Sequence, residues 1–305
     1  NNLSTVPDLS RFAPQLERID LSLNLLKSFP NFPSSIKEIN LSRNELTEIP
    51  QNFRSLTELA KFNISHNQLK SFPAIGSGII YIDASHNEIE TVESFDAPQL
   101  ELINFSSNKL TQIPSFRTVA LKHYLLGDNN ITSINVDNLS PQTQLLSLYN
   151  NEISSIPNSI YSLPVVNFNI YGNRLTSLPF DLEGWKTLSV FNCSNNPINS
   201  ITTLPTHLTQ LFAGYCNLTS LPDSLADNQD LVVVCVPGNN ISYLPQLSNV
   251  RILNASRNKI SYFPDVPQTI ETLDLSYNNL SAFPDIFIYP HLVEFDVGHN
   301  DIMNA

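Results

Sequence analysis

Two Ser–His pairs, Ser65–His66 and Ser85–His86, stand at equivalent places in the chain with Asp83 close by. A hydrolytic triad needs these residue types: a serine to attack, a histidine to take its proton and a carboxylate to orient the ring. Against that chemistry, both serines belong to a column that recurs without histidine at Ser22, Ser42, Ser106, Ser256 and Ser276. No glycine-built oxyanion turn accompanies them, so no catalytic residue is assigned. His66, His86 and Asp83 also lack a third firm ligand for a transition metal, so neither a metal nor a cofactor is expected. Arg18, Arg43 and Lys61 form a modest basic strip beside the histidines, a contact for an acidic partner or simply a solvated face. The third source of chemistry is cysteine. Cys216, in the stretch "QLFAGYCNLTSLP", offers a nucleophile, a metal ligand or half of a disulfide. With Cys193 and Cys235 it makes three, too few for a disulfide framework, which favours a reducing, cytoplasmic compartment without excluding an extracellular one.

Composition narrows the partners. The chain has 305 residues and a formal charge of −12, so it repels polyphosphate and excludes nucleic acid as a default ligand. No apolar run approaches the ~20 residues that span a bilayer, so no direct membrane insertion is expected. Residues 1 to 20 lack the basic start and apolar stretch of a signal peptide.

The elements that carry these side chains follow from an internal period. "QLERIDLSLNLLKSFP" (15–30), "SIKEINLSRNELTEIP" (35–50) and "TIETLDLSYNNLSAFP" (269–284) align on one pattern, L-x-x-L-x-L-x-x-N-x-L-x-x-Φ-P with Φ apolar. Its asparagine recurs at Asn1, Asn24, Asn44, Asn67, Asn87, Asn108, Asn129, Asn151, Asn173 and Asn196, is replaced by Cys216, and resumes at Asn239, Asn258, Asn278 and Asn300. Two residues beyond every anchor stands Leu or Ile; six beyond stands Pro, except at Glu93, Asn135 and Thr202. Each L-x-L segment reads as a short strand, its apolar residues turned inward by alternation. Neighbouring repeats then stack to bury a column that none could bury alone.

On these residues the chain resembles the leucine-rich repeat family along its whole length. The resemblance implies an α/β solenoid of horseshoe type with about fifteen parallel strands on a concave side and an anchor Asn bonded to backbone groups. Convex return paths should be extended where short and carry a helical turn, with Ser or Asp ahead of it, where long. It also implies one solenoid over residues 1–305. Starting on one anchor and stopping five residues after another without polar caps, that solenoid reads as a piece of a larger protein.

Function, in such a scaffold, sits in the departures from consensus. Four and two positions before the anchor, the outward residues are Asp or Asn and then Ser through Asp20–Ser22, Asn40–Ser42, Asn63–Ser65, Asp83–Ser85 and Asn104–Ser106, and again from Asn254 onward. The six repeats anchored from Asn129 to Asn239 depart from this. They show Leu125, Gly127, Tyr149, Tyr171, Phe212, Gly214, Cys235 and Pro237, with His123, Leu145, Val233 and Tyr215 beside them. Clustered aromatic and apolar side chains on an exposed face mark a ligand surface; local packing, with Gly and Pro serving the backbone, is the competing reading. We expect partner contacts from His123, Leu125, Asp128, Tyr149, Tyr171, Phe212, Tyr215 and Val233. By resemblance the function is protein binding on the concave face by a monomer, as the recognition part of a signalling or regulatory protein. Two other readings stay open: a targeting segment of a phosphatase, kinase, cyclase or ubiquitin ligase, and an extracellular receptor or adhesin module. Cys216 is read as a structural anchor, Cys193 as inward and Cys235 as outward, with no disulfide expected. Trp185 is read as convex packing. Eleven N-x-S/T sequons occur, but the repeat consensus writes them automatically.

Overall fold

Alternation of apolar and polar residues sets three-residue strands at one phase of every repeat. The computed structural model describes residues 1–179 and 181–303, and the chain divides into two compact units, Asn1–Glu152 and Ile153–Ala305. In the first unit the strands Arg18–Asp20, Glu38–Asn40, Lys61–Asn63, Tyr81–Asp83, Leu102–Asn104, His123–Leu125 and Leu145–Ser147 pair in parallel in chain order. Their central residues stay in register: Ile19, Ile39, Phe62, Ile82, Ile103, Tyr124 and Leu146. In the second unit the strands are Asn167–Asn169, Val190–Asn192, Gln210–Phe212, Val233–Cys235, Ile252–Asn254, Thr272–Asp274 and Glu294–Asp296, again parallel and in order. Among the described residues the strands of this face thus number fourteen, in line with the expected solenoid of about fifteen.

Repeat length decides the return path. Every interval of 22 or 23 residues between anchors carries one helical turn: Leu9–Phe12, Gln51–Ser55, Val136–Asn138, Asn158–Ser162, Leu182–Gly184, Asp223–Asp227 and Ile286–Ile288. Intervals of 19 to 21 residues carry none among the described residues, and run extended or pair briefly, as Ser71–Phe72 does with Thr91–Val92. The caps follow expectation only in part. Asp8, Asn135, Asp181 and Asp285 each accept a backbone N–H of their turn, whereas Pro50, Pro157 and Pro222 precede theirs without a side-chain cap. A proline there loses nothing, since its missing N–H has no intrahelical partner.

Inside each coil the core is aliphatic with aromatic inserts. Phe53 meets Phe29 and Phe62 at ring-centroid distances of 5.2 and 4.9 Å in the first unit. In the second, Phe168 lies 5.3 Å from Trp185 and 5.9 Å from Phe191. Trp185 is fully buried, so it is core packing, as expected of it.

The anchors satisfy the backbone of each bend. Asn67 shows the pattern: its Nδ2 donates to the carbonyls of Ile64, Ser65 and Leu41, at 3.1, 3.3 and 3.0 Å. Its Oδ1 accepts the Leu46 N–H at 3.0 Å. Asn258 repeats the set with Ala255, Ser256, Val236 and Ile241. One inward amide therefore pairs four backbone groups that burial would otherwise leave unsatisfied.

Candidate functional site

The outward face of the strands is built first by short polar rungs. Four residues before an anchor, Asp or Asn accepts the N–H of the serine two residues on, as Asp20 does from Ser22 at 2.8 Å and Asp274 from Ser276 at 3.0 Å. The serine hydroxyl closes the same rung. Ser65 Oγ donates to Asn63 at 2.8 Å and Ser85 Oγ to Asp83 at 2.7 Å. These protons point at the serines' own repeats and away from His66 and His86, so the geometry offers no Ser–His relay. The two imidazoles instead stack on each other, centroids 4.1 Å apart and planes 10° apart. Burial lowers the pKa of His66, helped by the charges of His86 and Arg43 and opposed by that of Asp83. Among the described residues, no group of three or more His, Cys, Asp or Glu side chains gathers as a metal site would require.

The basic strip is shared with an acid. Glu38 lies between Arg18 and Lys61, 3.7 and 3.3 Å from their nitrogens, and offsets part of their charge on the surface. With Tyr81 these three side chains bound a shallow groove of about 360 Å³ over Asp20, Asn40 and Asn63. Arg43 stands apart, in the column just before the anchors.

That column is a feature the repeat pattern does not announce. The residue before every anchor from Asn24 to Asn300 is left-handed, with φ between +51° and +67°. Only Gly172 and Gly238 are free of the cost this imposes; the other twelve include Leu23, Arg43, His66, Tyr215 and Tyr277. The turn projects each of these side chains outward beside its neighbour. Arg257 lies 4.2 Å over the Tyr277 ring, which stacks 4.1 Å from His299. Residue type gives little signal here, because coil closure imposes the conformation against preference.

In the first unit, His123 and Leu125 are half-buried at the ends of one strand, and Asp128 is exposed at φ +53°. Tyr149 is half-buried, its ring laid across Gly127, where an added Cβ would collide with the ring carbons. Burial foremost, then the Asp128 charge, raises the pKa of its hydroxyl. Asp128 also accepts from Asn150 Nδ2 at 2.8 Å. In this unit Gly127 and Tyr149 are therefore one packing pair, small against large in a single column.

The second unit repeats the device. Tyr215 is 57% exposed and its ring covers Gly238, whose φ is +67°. Gly214 faces Pro237, where a Cβ would stand 2.8 Å from the ring. Phe212 and Val233 are half-buried, between Asn192 and Cys235 and between Gln210 and Ile252 in register. Tyr171 keeps the polar rung, its N–H donating to Asn169, while its hydroxyl accepts from Asn195 at 2.5 Å. Each unit thus shows a partly exposed aromatic and apolar patch whose rings rest on glycine. Tyr81 and Ile252, six positions before their anchors, belong to the same face and were missed. Reading that column beyond His123, Leu145 and Val233 would have found them.

Cys216 occupies the anchor site and does part of the amide's work. Its Sγ reaches the carbonyls of Cys193 at 3.6 Å and Gly214 at 3.5 Å. A thiol cannot replace the amide oxygen, and the Ile198 N–H turns onto Asn196 O at 2.8 Å across Pro197. Cys193, Cys216 and Cys235 are all free thiols in the structure.

Comparison with known proteins agrees with this architecture. The leucine-rich repeat family model matches residues 35–56 and 269–289. Keratocan of Danio rerio is 26% identical over 219 residues, spanning 64% of this chain and 61% of keratocan. Among solved structures, YopM of Yersinia enterocolitica is 27% identical with a TM-score of 0.79, over 100% of this chain and 73% of that one. The Arabidopsis receptor kinase HAESA shares the fold at 20% identity and a TM-score of 0.63, over 98% and 60% of the two chains. The chain therefore spans less than two thirds of the length of keratocan and HAESA. Anchors, parallel strands, return paths and relatives coincide in supporting a leucine-rich repeat protein.

Proposed function

We propose that the chain is a protein-recognition module whose partner docks on the outward strand face. The leucine-rich repeat fold supports a protein–protein interaction role, and HAESA was solved in complex with a peptide hormone and a co-receptor. The contact residues are His123, Leu125, Asp128 and Tyr149 in the first unit and Tyr171, Phe212, Tyr215 and Val233 in the second. One observation carries the assignment: aromatic rings rest on glycines of the adjacent coil, as Tyr149 does on Gly127 and Tyr215 on Gly238. A ring already fixed on its own scaffold loses little side-chain entropy on docking, which favours it as an anchor. Asp128 and Asn150 supply a polar edge beside it. The three free thiols favour a reducing compartment and hence the cytoplasmic reading.

The test is affinity capture from the source cells, with the wild-type chain, Tyr149→Ala and Phe212→Ala as separate baits compared by quantitative mass spectrometry. Proteins enriched by the wild type should be depleted at least about tenfold with either variant, since one lost hot spot is worth 1.4 kcal/mol or more. Melting curves should show that both variants remain folded. An unchanged set of captured proteins with both folded variants rejects the assignment.

A further inference from the structure

The first four strands of the first unit bring hydrogen-bond donors together in excess. Their leading residues stand in register, Arg18 beside Glu38, Glu38 beside Lys61 and Lys61 beside Tyr81. The groove they wall holds about 360 Å³ over Asp20, Asn40 and Asn63. Its acceptors are already engaged. Asp20 takes the Ser22 N–H on one oxygen at 2.8 Å and Asn40 Nδ2 on the other at 3.1 Å. Asn40 Oδ1 takes the Ser42 N–H, and Asn63 Oδ1 takes both the N–H and the hydroxyl of Ser65. The donors are not engaged. Among the described residues, Arg18 and Lys61 share a single oxygen, Glu38 Oε1, at 3.7 and 3.3 Å, and their side chains are 72% and 62% exposed. Both distances exceed the roughly 2.7–2.9 Å of a charge-assisted hydrogen bond. Lys37 and Lys109, by contrast, bond Glu17 and Glu88 at 2.8 and 2.9 Å. Asn63 Nδ2 likewise donates to no described residue.

We propose that this groove binds the carboxylates of a short acidic peptide segment, with Arg18 and Lys61 as the two receptors. The contact is independent of the aromatic patches assigned above. The hydrogen-bond account sets the ligand's chemistry: where acceptors are engaged and donors are free, the ligand must bring acceptors. A charged donor bonds a charged acceptor most strongly, and the planar fork of Arg18 matches the two oxygens of a carboxylate. Strand spacing sets the ligand's length. Arg18 and Lys61 stand two strands apart, roughly 9–10 Å at ~4.8 Å per strand. Two acidic side chains on one extended segment lying across the strands reach both. Glu38, between the receptors, is then a resident competitor, and its charge opposes the ligand's. Tyr81 closes the groove beside Lys61 and offers a ring face to the ligand's apolar atoms. The chain's overall charge of −12 repels acidic partners at a distance, so the groove selects by close contact with a short segment.

The experiment titrates the whole chain with two blocked tripeptides, acetyl-Glu-Leu-Glu-amide and its Gln-Leu-Gln counterpart, followed by NMR on backbone amides and arginine Nε–H signals. The Glu peptide should shift the amides of Arg18–Asp20 and Lys61–Asn63 and the Arg18 Nε–H, all saturably. It should leave in place the Nε–H of Arg251, which Glu271 already accepts at 2.8 Å. The Gln peptide should shift neither. Arg18→Gln and Lys61→Gln should each weaken binding about tenfold, the effect of losing one hydrogen bond between charged groups. Glu38→Gln should tighten it, by up to about fivefold, as the competing charge is removed. All three substitutions lie on the surface, so melting temperatures should stay at the wild-type value. Tyr149→Ala should bind the peptide as the wild type does, which separates this result from the fate of the aromatic patch. Equal shifts with both peptides, shifts spread over every arginine as salt alone would give, no saturable shift, or weaker binding by Glu38→Gln would each overturn the proposal.

Discussion

Single side chains here are set by a neighbour one coil away. His66 shows what that does to a titratable group. Its ring is pressed against His86, with Arg43 and Asp83 also near, and burial lowers its pKa from the ordinary 6.5. A folded pKa below the unfolded one means that the unfolded chain binds the proton more readily. The stability contribution is therefore complete above pH 6.5 and is lost as pH falls through that value toward the lower folded pKa. His66→Gln should flatten this part of the profile, read as the wild-type minus variant difference in urea midpoint between pH 7.5 and 5. An equal slope in both proteins would contradict the assignment. Tyr149 and Tyr215 obey the same logic through packing, each ring resting on a glycine of the adjacent coil.

At the scale of the repeat, the anchor does more than any other position. Replacing Asn258 by Ala leaves the Ile241 N–H and three carbonyls without their partner. We expect a loss of about 3 kcal/mol, since each buried unsatisfied group costs about 1–3 kcal/mol and relaxation recovers part. Cys216→Ala removes only two long S–H contacts, and about 1 kcal/mol or less is expected. Equilibrium denaturation of the two variants checks the contrast, and equal losses would mean that the anchor oxygen carries no weight. The period itself was legible because it resides in residue type: Leu inward, Asn at the bend, and repeat length choosing between an extended and a helical return. The left-handed column was not legible, because Leu23, Arg43 and His66 hold that conformation by coil closure and against their own preference. The Gly127–Tyr149 pair was half visible: the sequence placed both on the face but did not say that one carries the other.

For the whole molecule, the formal charge is −12 and the described strands of the main sheet are all parallel. Nine of its eleven sequons fall into two classes that only the fold separates. Asn40, Asn63, Asn104, Asn192 and Asn254 hold the N–H of the serine two residues on, inside the strand ladder. Asn130, Asn217, Asn240 and Asn279 each follow an anchor directly and are exposed. Folded protein recovered from a eukaryotic secretory host should carry glycans at sites of the second class and at none of the first. Glycopeptide mapping reads this directly, and sugar on Asn63 or Asn254 of folded protein would show that the rungs open.

The rings resting on glycine also bear on how this face can change through descent. A side chain added at Gly127 strikes the Tyr149 ring, one at Gly214 strikes Pro237, and one at Gly238 strikes Tyr215. Neither member of such a pair is free to mutate on its own terms. The effect of a substitution depends on what the next coil already holds, so recognition residues on this face evolve as linked couples. New specificities are then reached most readily through intermediates in which the large residue shrinks before the small one grows.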